Sequence, residues 1–121
     1  MEKKILIVED QPDLREMLAT LLRAEGFMTF TASDGREGLE VFKTSCPDII
    51  ITDINMPNMN GVDMVKTVRG MPQCDSIPIM VLTAVGSGVA SDAIEAGANQ
   101  ALIKPVGLQT LVNGVKRLLD P

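Results

Sequence analysis

A chain of 121 residues suits one domain of ordinary size, and its 45% apolar content excludes a disordered polymer. The net charge of -5 argues against a nucleic-acid surface and favours cations or basic partners. No apolar run approaches the roughly 20 residues that span a bilayer, and only four apolar residues follow Met1-Glu2-Lys3-Lys4, too few for a secretory core; the expected location is the cytoplasm, with no membrane partner.

Taken in order, the chain alternates strands and helices. Lys4-Ile5-Leu6-Ile7-Val8 reads as a buried strand ending in Glu9-Asp10. Leu14, Met17, Leu18, Leu21 and Leu22 then fall on one helical stripe, with Pro12 in the first turn and Gly26 as the stop. Phe27 to Ala32 is a weaker, partly alternating strand of the kind found at a sheet edge. Asp34, with Glu37 three residues on, opens a second helix running through Phe42.

The third strand carries Ile49-Ile50-Ile51, β-branched and apolar without alternation, which marks a strand buried on both faces. It runs into Asp53, and Pro57 forbids regular structure just beyond. Asn60 and Asp63 suit a third helix start, Met64, Val65 and Val68 its buried face, and Pro72 its end. Pro78 to Leu82 is a fourth strand stopping at Thr83-Ala84, followed by a Gly86-Ser87-Gly88 loop and a short Ala-rich helix ending at Gly97. Ala101-Leu102-Ile103 forms a fifth strand, ending at Lys104-Pro105. Leu108, Leu111, Val112, Val115, Leu118 and Leu119 give the last amphipathic helix, in which Gly114 costs about 1 kcal/mol.

Strands alternating with helices in this way predict an α/β fold, a doubly wound parallel sheet. Right-handed crossovers place all strand carboxyl ends on one edge, where open α/β sheets bind ligands. Glu9 and Asp10, Asp53, Thr83 and Lys104 all fall there. Three carboxylates near one point repel by about 4 kcal/mol per pair at 4 Å with an effective dielectric near 20. Lys104 supplies one compensating charge, and a hard divalent cation such as Mg²⁺, which takes one or two carboxylates plus waters and phosphate oxygens, supplies the rest. A carboxylate beside such an ion is a nucleophile toward phosphorus. The sequence holds no His, so any chemistry runs on carboxylates, hydroxyls and Lys; Cys46 and Cys74 lack metal-type spacing and read as free thiols.

The spaced motifs Glu9-Asp10, Asp53-Ile54-Asn55-Met56-Pro57-Asn58-Met59-Asn60-Gly61, Thr83-Ala84 and Lys104-Pro105 resemble those of the receiver domain of two-component response regulators, over Lys4 to Leu119. The resemblance implies a five-stranded flavodoxin-like sheet of order 2-1-3-4-5 with helices on both faces, forming one receiver domain over residues 1–121. It implies Asp53 as acceptor of a phosphoryl group from a phosphohistidine of a sensor histidine kinase or phosphotransfer protein, which would bring the His this chain lacks. Glu9, Asp10, Asp53 and the backbone carbonyl of Asn55 match the residues that bind Mg²⁺ or Mn²⁺. The Thr83 hydroxyl, the Ala84 amide and Lys104 match those that hold the phosphoryl group, and Pro105 a proline preceded by a cis peptide. Such a domain is a phosphoacceptor with slow autodephosphorylation rather than an enzyme of turnover, and it switches the binding of a downstream protein without touching nucleic acid itself.

Two positions depart from that pattern. Ala101 stands where receivers usually carry Tyr or Phe, and Val106 where Phe often follows the Lys-Pro pair. Without the ring, the switch is expected in the loop after Thr83 and the short helix beyond it. The chain stops after its fifth helix with no output segment, the expectation for a stand-alone receiver or one taken from a longer protein. Two other readings compete: a receiver-like module that binds partners without phosphorylation, and a haloacid-dehalogenase-type phosphatase. The second needs an acid two residues after the nucleophile, and Asn55 stands there.

Overall fold

The computed structural model describes residues 2–72, 76–84 and 88–120. Five strands, β1 (Lys4–Val8), β2 (Met28–Ala32), β3 (Ile49–Asp53), β4 (Ile79–Thr83) and β5 (Gln100–Ile103), form one parallel sheet of order β2-β1-β3-β4-β5. Between and after them come α1 (Pro12–Ala24), α2 (Gly35–Ser45), α3 (Gly61–Arg69), α4 (Val89–Ala96) and α5 (Leu108–Leu119). None of the helices is long and apolar enough to cross a membrane.

Successive strand residues point to opposite faces, so each apolar run feeds two cores. Ile5, Ile7, Ile49, Ile51, Met80 and Leu82 pack under α1 and α5, while Leu6, Val8, Ile50, Ile79 and Val81 pack under α2, α3 and α4. The residues of β3 and β4 are all buried, as the uninterrupted Ile run requires. Each such side chain removed from water stabilises the fold by about 1.5–3 kcal/mol before entropy is counted.

The helices depart from expectation in instructive places. In α1 the buried residues are Leu18, Ala19 and Leu22, and Met17 is half exposed. At about 100° per residue, Met17 stands roughly 140° from the middle of that face; the apolar stripe in the sequence is wider than the face the sheet covers. Helix α2 runs to Ser45 rather than Phe42, and Cys46, exposed and unpaired, ends it in the left-handed region at φ 49. Gly70, not Pro72, caps α3. Gly114 has a use that periodicity hides: a Cβ there would lie 2.8 Å from Met80 Cε, so the glycine lets α5 approach β4 closely.

Candidate functional site

The pairing of the central strands sets the site. Val8 lies beside Thr52, so Glu9 and Asp53 leave β1 and β3 at the same level, and Asp53 lies beside Leu82, one residue before Thr83. Thr83 pairs with Ile103, and the Lys104 amide donates to the Thr83 carbonyl at 2.7 Å, which brings Lys104 to the same edge. The Lys104–Pro105 peptide is cis.

Asp53 is buried, and its two oxygens have separate partners. Oδ1 accepts from the Ile54 amide at 2.8 Å, and Oδ2 lies 3.1 Å from the Lys104 ammonium. The same ammonium donates to Glu9 Oε1 at 3.3 Å, while Glu9 Oε2 accepts from the Gln11 amide at 3.2 Å. Glu9 is 1% exposed, which for a carboxylate is tolerable only with partners of this kind. Arg15 of α1 donates to the Glu9 carbonyl at 2.9 Å and so ties the strand end to that helix.

Electrostatics follow from this crowding. Burial pushes the Glu9 carboxyl up to about 7; the negative charge of Asp53 and a hydrogen bond with Asp10 push the same way, against the Gln11 amide and Lys104. Burial alone would lower Lys104, but the hydrogen bond and charge of Asp53, then of Glu9, outweigh it and hold the ammonium above its ordinary value.

Carboxylate oxygens of Glu9, Asp10 and Asp53 lie within 4.8 Å of one another. Three hard oxygen donors around one point, with Asp10 half-exposed so that water has access, fit a cation such as Mg²⁺ better than a soft metal. Of the other residues expected here, Thr83 is buried at the end of β4, while Ala84 and Asn55 stand exposed just past the ends of β4 and β3. Val85, Gly86 and Ser87 of the expected loop lie outside the described residues, as does Cys74.

Sequence reasoning missed what holds the loop after Asp53. Gly61 donates to the Ile54 carbonyl at 2.8 Å, and a Cβ on it would sit 2.2 Å from the Asp53 carbonyl oxygen. The Gly61 of the spaced motif was the available signal, since only glycine permits so close an approach.

Residues 5–116 match the family described as the response regulator receiver domain. Among relatives, the chain is 41% identical over 119 residues to the transcriptional regulatory protein PrrA of Mycobacterium tuberculosis, covering 96% of this chain and 49% of that protein. It is 37% identical to the DNA-binding response regulator MtrA of Mycolicibacterium smegmatis, covering 98% and 51%. The chain thus spans about half the length of these relatives. The solved structure of the chemotaxis response regulator CheY4 of Vibrio cholerae superposes with a TM-score of 0.91 at 34% identity, covering 98% of this chain and 100% of that one.

Proposed function

The chain belongs to the response regulator receiver domain family of two-component signal transduction, and from that premise we propose that it accepts a phosphoryl group on Asp53 from the phosphohistidine of a sensor histidine kinase or phosphotransfer protein. Residues 1–121 then act as one receiver domain in the cytoplasm, and phosphorylation alters the binding of a downstream protein. The observation that carries this reading is the contact set of Asp53, with one oxygen fixed by the Ile54 amide and the other turned to Lys104 beside Glu9.

The Ile54 amide holds the carboxylate in one rotamer, so the opposite oxygen is the one presented to phosphorus. In the transfer, an Asp53 oxygen forms the new O–P bond while the donor's P–N bond breaks, its electron pair returning to an imidazole that takes a proton from solvent. Lys104, 3.1 Å from the reacting carboxylate, offsets charge on the phosphoryl oxygens. The Thr83 hydroxyl and the Ala84 amide hold the remaining oxygens. Glu9, Asp10, Asp53 and the Asn55 carbonyl would bind Mg²⁺ or Mn²⁺; the ion supplies positive charge that offsets both the carboxylate repulsion and the charge of the transferring group. Because the group stays on the acceptor until slow self-hydrolysis, the domain is a switch.

Incubation with acetyl phosphate and Mg²⁺ should add one hydroxylamine-sensitive acyl phosphate, located at Asp53 by mass spectrometry. Asp53→Asn should abolish labelling, since an amide is a poor nucleophile at phosphorus, and Asp10→Ala should reduce both labelling and Mg²⁺ binding. A phosphoryl group retained in Asp53→Asn, or found on Thr52 or Thr83, overturns the assignment.

A further inference from the structure

The loop from β3 to α3, residues 54–60, is tied to α2 at two points beyond its own closure at Gly61. The Gly35 amide, at the first residue of α2, donates to the Met59 carbonyl at 3.1 Å, and a Cβ on Gly35 would sit 2.6 Å from that oxygen. Asn58, in the left-handed region at φ 66, donates from Nδ2 to Asp34 Oδ2 at 2.7 Å. Asp34 is also the N-cap of α2, its Oδ1 accepting from the Glu37 amide at 2.8 Å. One carboxylate thus serves two elements, a helix start and the loop that leaves the acceptor strand. Asn is one of the few side chains other than Gly that suits φ > 0, and here the side chain is used as well as the backbone.

We infer that Asp34 and Asn58 are positioning residues for the cation site. Their hydrogen bond fixes the path of the loop and with it the backbone of Asn55, whose carbonyl the proposed function assigns to the metal; the inference rests on that assignment. The Ile54–Gly61 closure and the Gly35–Met59 bond hold the far end of the loop, and the Asn58 side chain adds the tie nearest its middle. Mg²⁺ demands near-ideal octahedral geometry, so a carbonyl that wanders lowers affinity even with all three carboxylates in place. Neither residue belongs to the proposed ligand set, and both act through the loop.

The competing explanation, that Asp34 is only a helix cap, is separable by substitution. Asn58→Gly keeps a left-handed residue and leaves the cap and the Gly35–Met59 bond intact while removing the side-chain tie. Asn58→Asp keeps a residue suited to φ > 0 but sets a second carboxylate against Asp34. The double variant Asp34→Asn/Asn58→Asp reverses donor and acceptor and restores the bond at unchanged net charge. Calorimetric titration with Mg²⁺, without phosphodonor, should show each single variant weakened about tenfold, the scale on which outer-shell partners act. The double variant should recover to near the wild-type affinity. Amide exchange in residues 55–59 should accelerate in the single variants and slow again in the double. Wild-type affinity in Asn58→Gly, or a double variant no better than the singles, overturns the inference while leaving the proposed function standing. A wild-type chain that takes up no Mg²⁺ overturns both.

Discussion

The two flanks of the acceptor strand are built differently. On one side, α2 and α3 start with side-chain caps, Asp34 and Asn60 accepting from the amides three residues on, α1 starts at Gln11 with a proline in its first turn and no side-chain cap, and the loop between β3 and α3 is tied to α2. On the other, α4 and α5 start at Gly88 and Gly107 with no side-chain cap, and every described residue of β5 is at least partly exposed. Large apolar side chains that expose about half of their surface occur on both flanks, Met17 and Met28 on the first and Ile94, Ile103 and Leu108 on the second. A capped helix end satisfies orphan amides and resists fraying, whereas an uncapped one at a glycine gives way at lower cost. Glu9, Asp10 and Asp53 thus sit beside the two capped helices, while Thr83 and Lys104 enter the site from the flank whose helices start without a side-chain cap.

Core substitutions should show the largest contrast. Ile7→Ala in β1 should cost about 2–5 kcal/mol, by chemical denaturation, because a sealed site cannot collapse around the cavity. Ile103→Ala in β5 should cost less than about 0.5 kcal/mol. Comparable losses would erase the distinction between the flanks.

Ion pairs come next. Removing the charge in Lys104→Met leaves Glu9 and Asp53 facing one another without their cation. Because the lysine side chain keeps 27% of its exposure, the expected loss is about 1–2 kcal/mol, well below that of a fully buried pair, and Mg²⁺ should recover part of it. The Lys116–Glu25 pair, at 3.5 Å between exposed side chains, is the control; Lys116→Met should change stability by less than about 0.5 kcal/mol. A larger loss there than at Lys104 would contradict the comparison.

Capping should add a smaller, pH-dependent effect. The Glu37 amide, then the Asn58 side chain, hold Asp34 below its ordinary value of 3.8. A group whose folded pKa is depressed contributes stability above its unfolded pKa and loses it as pH falls through the folded one. Asp34→Ala should therefore cost about 1 kcal/mol at neutral pH, and the penalty should shrink below pH 3.8. A penalty that is flat with pH would show that the carboxylate charge is not what caps α2.

The finest test concerns the switch. Ala101 is a methyl group partly buried under the α4 face of the sheet, with no second rotamer to carry motion toward α5. Adding beryllofluoride, a phosphoryl mimic, should shift amide resonances of α4 more than those of α5. Equal shifts in the two helices would mean that coupling needs no ring.

Local chemistry made much of this legible from the sequence. The triple isoleucine marks a sealed central strand, Asp34 and Asn60 mark helix starts, and Glu9, Asp53, Thr83 and Lys104 each end an apolar run, because burial, capping and strand termination are written within a few neighbouring residues. Strand order was not among these local signals; it came only with the family resemblance. Nor could periodicity distinguish β5 at the sheet edge from β4 inside it, or show that Met17 turns away from the core, since an apolar run reads the same whether one face is covered or two. Gly114 looked like a helix defect until Met80 lay against it, and Asn58 stood only as one member of the spaced motif until Asp34, 24 positions earlier, supplied its partner. Those contacts join residues far apart in the chain, so they exist only once the crossovers have set helix against strand and loop against helix.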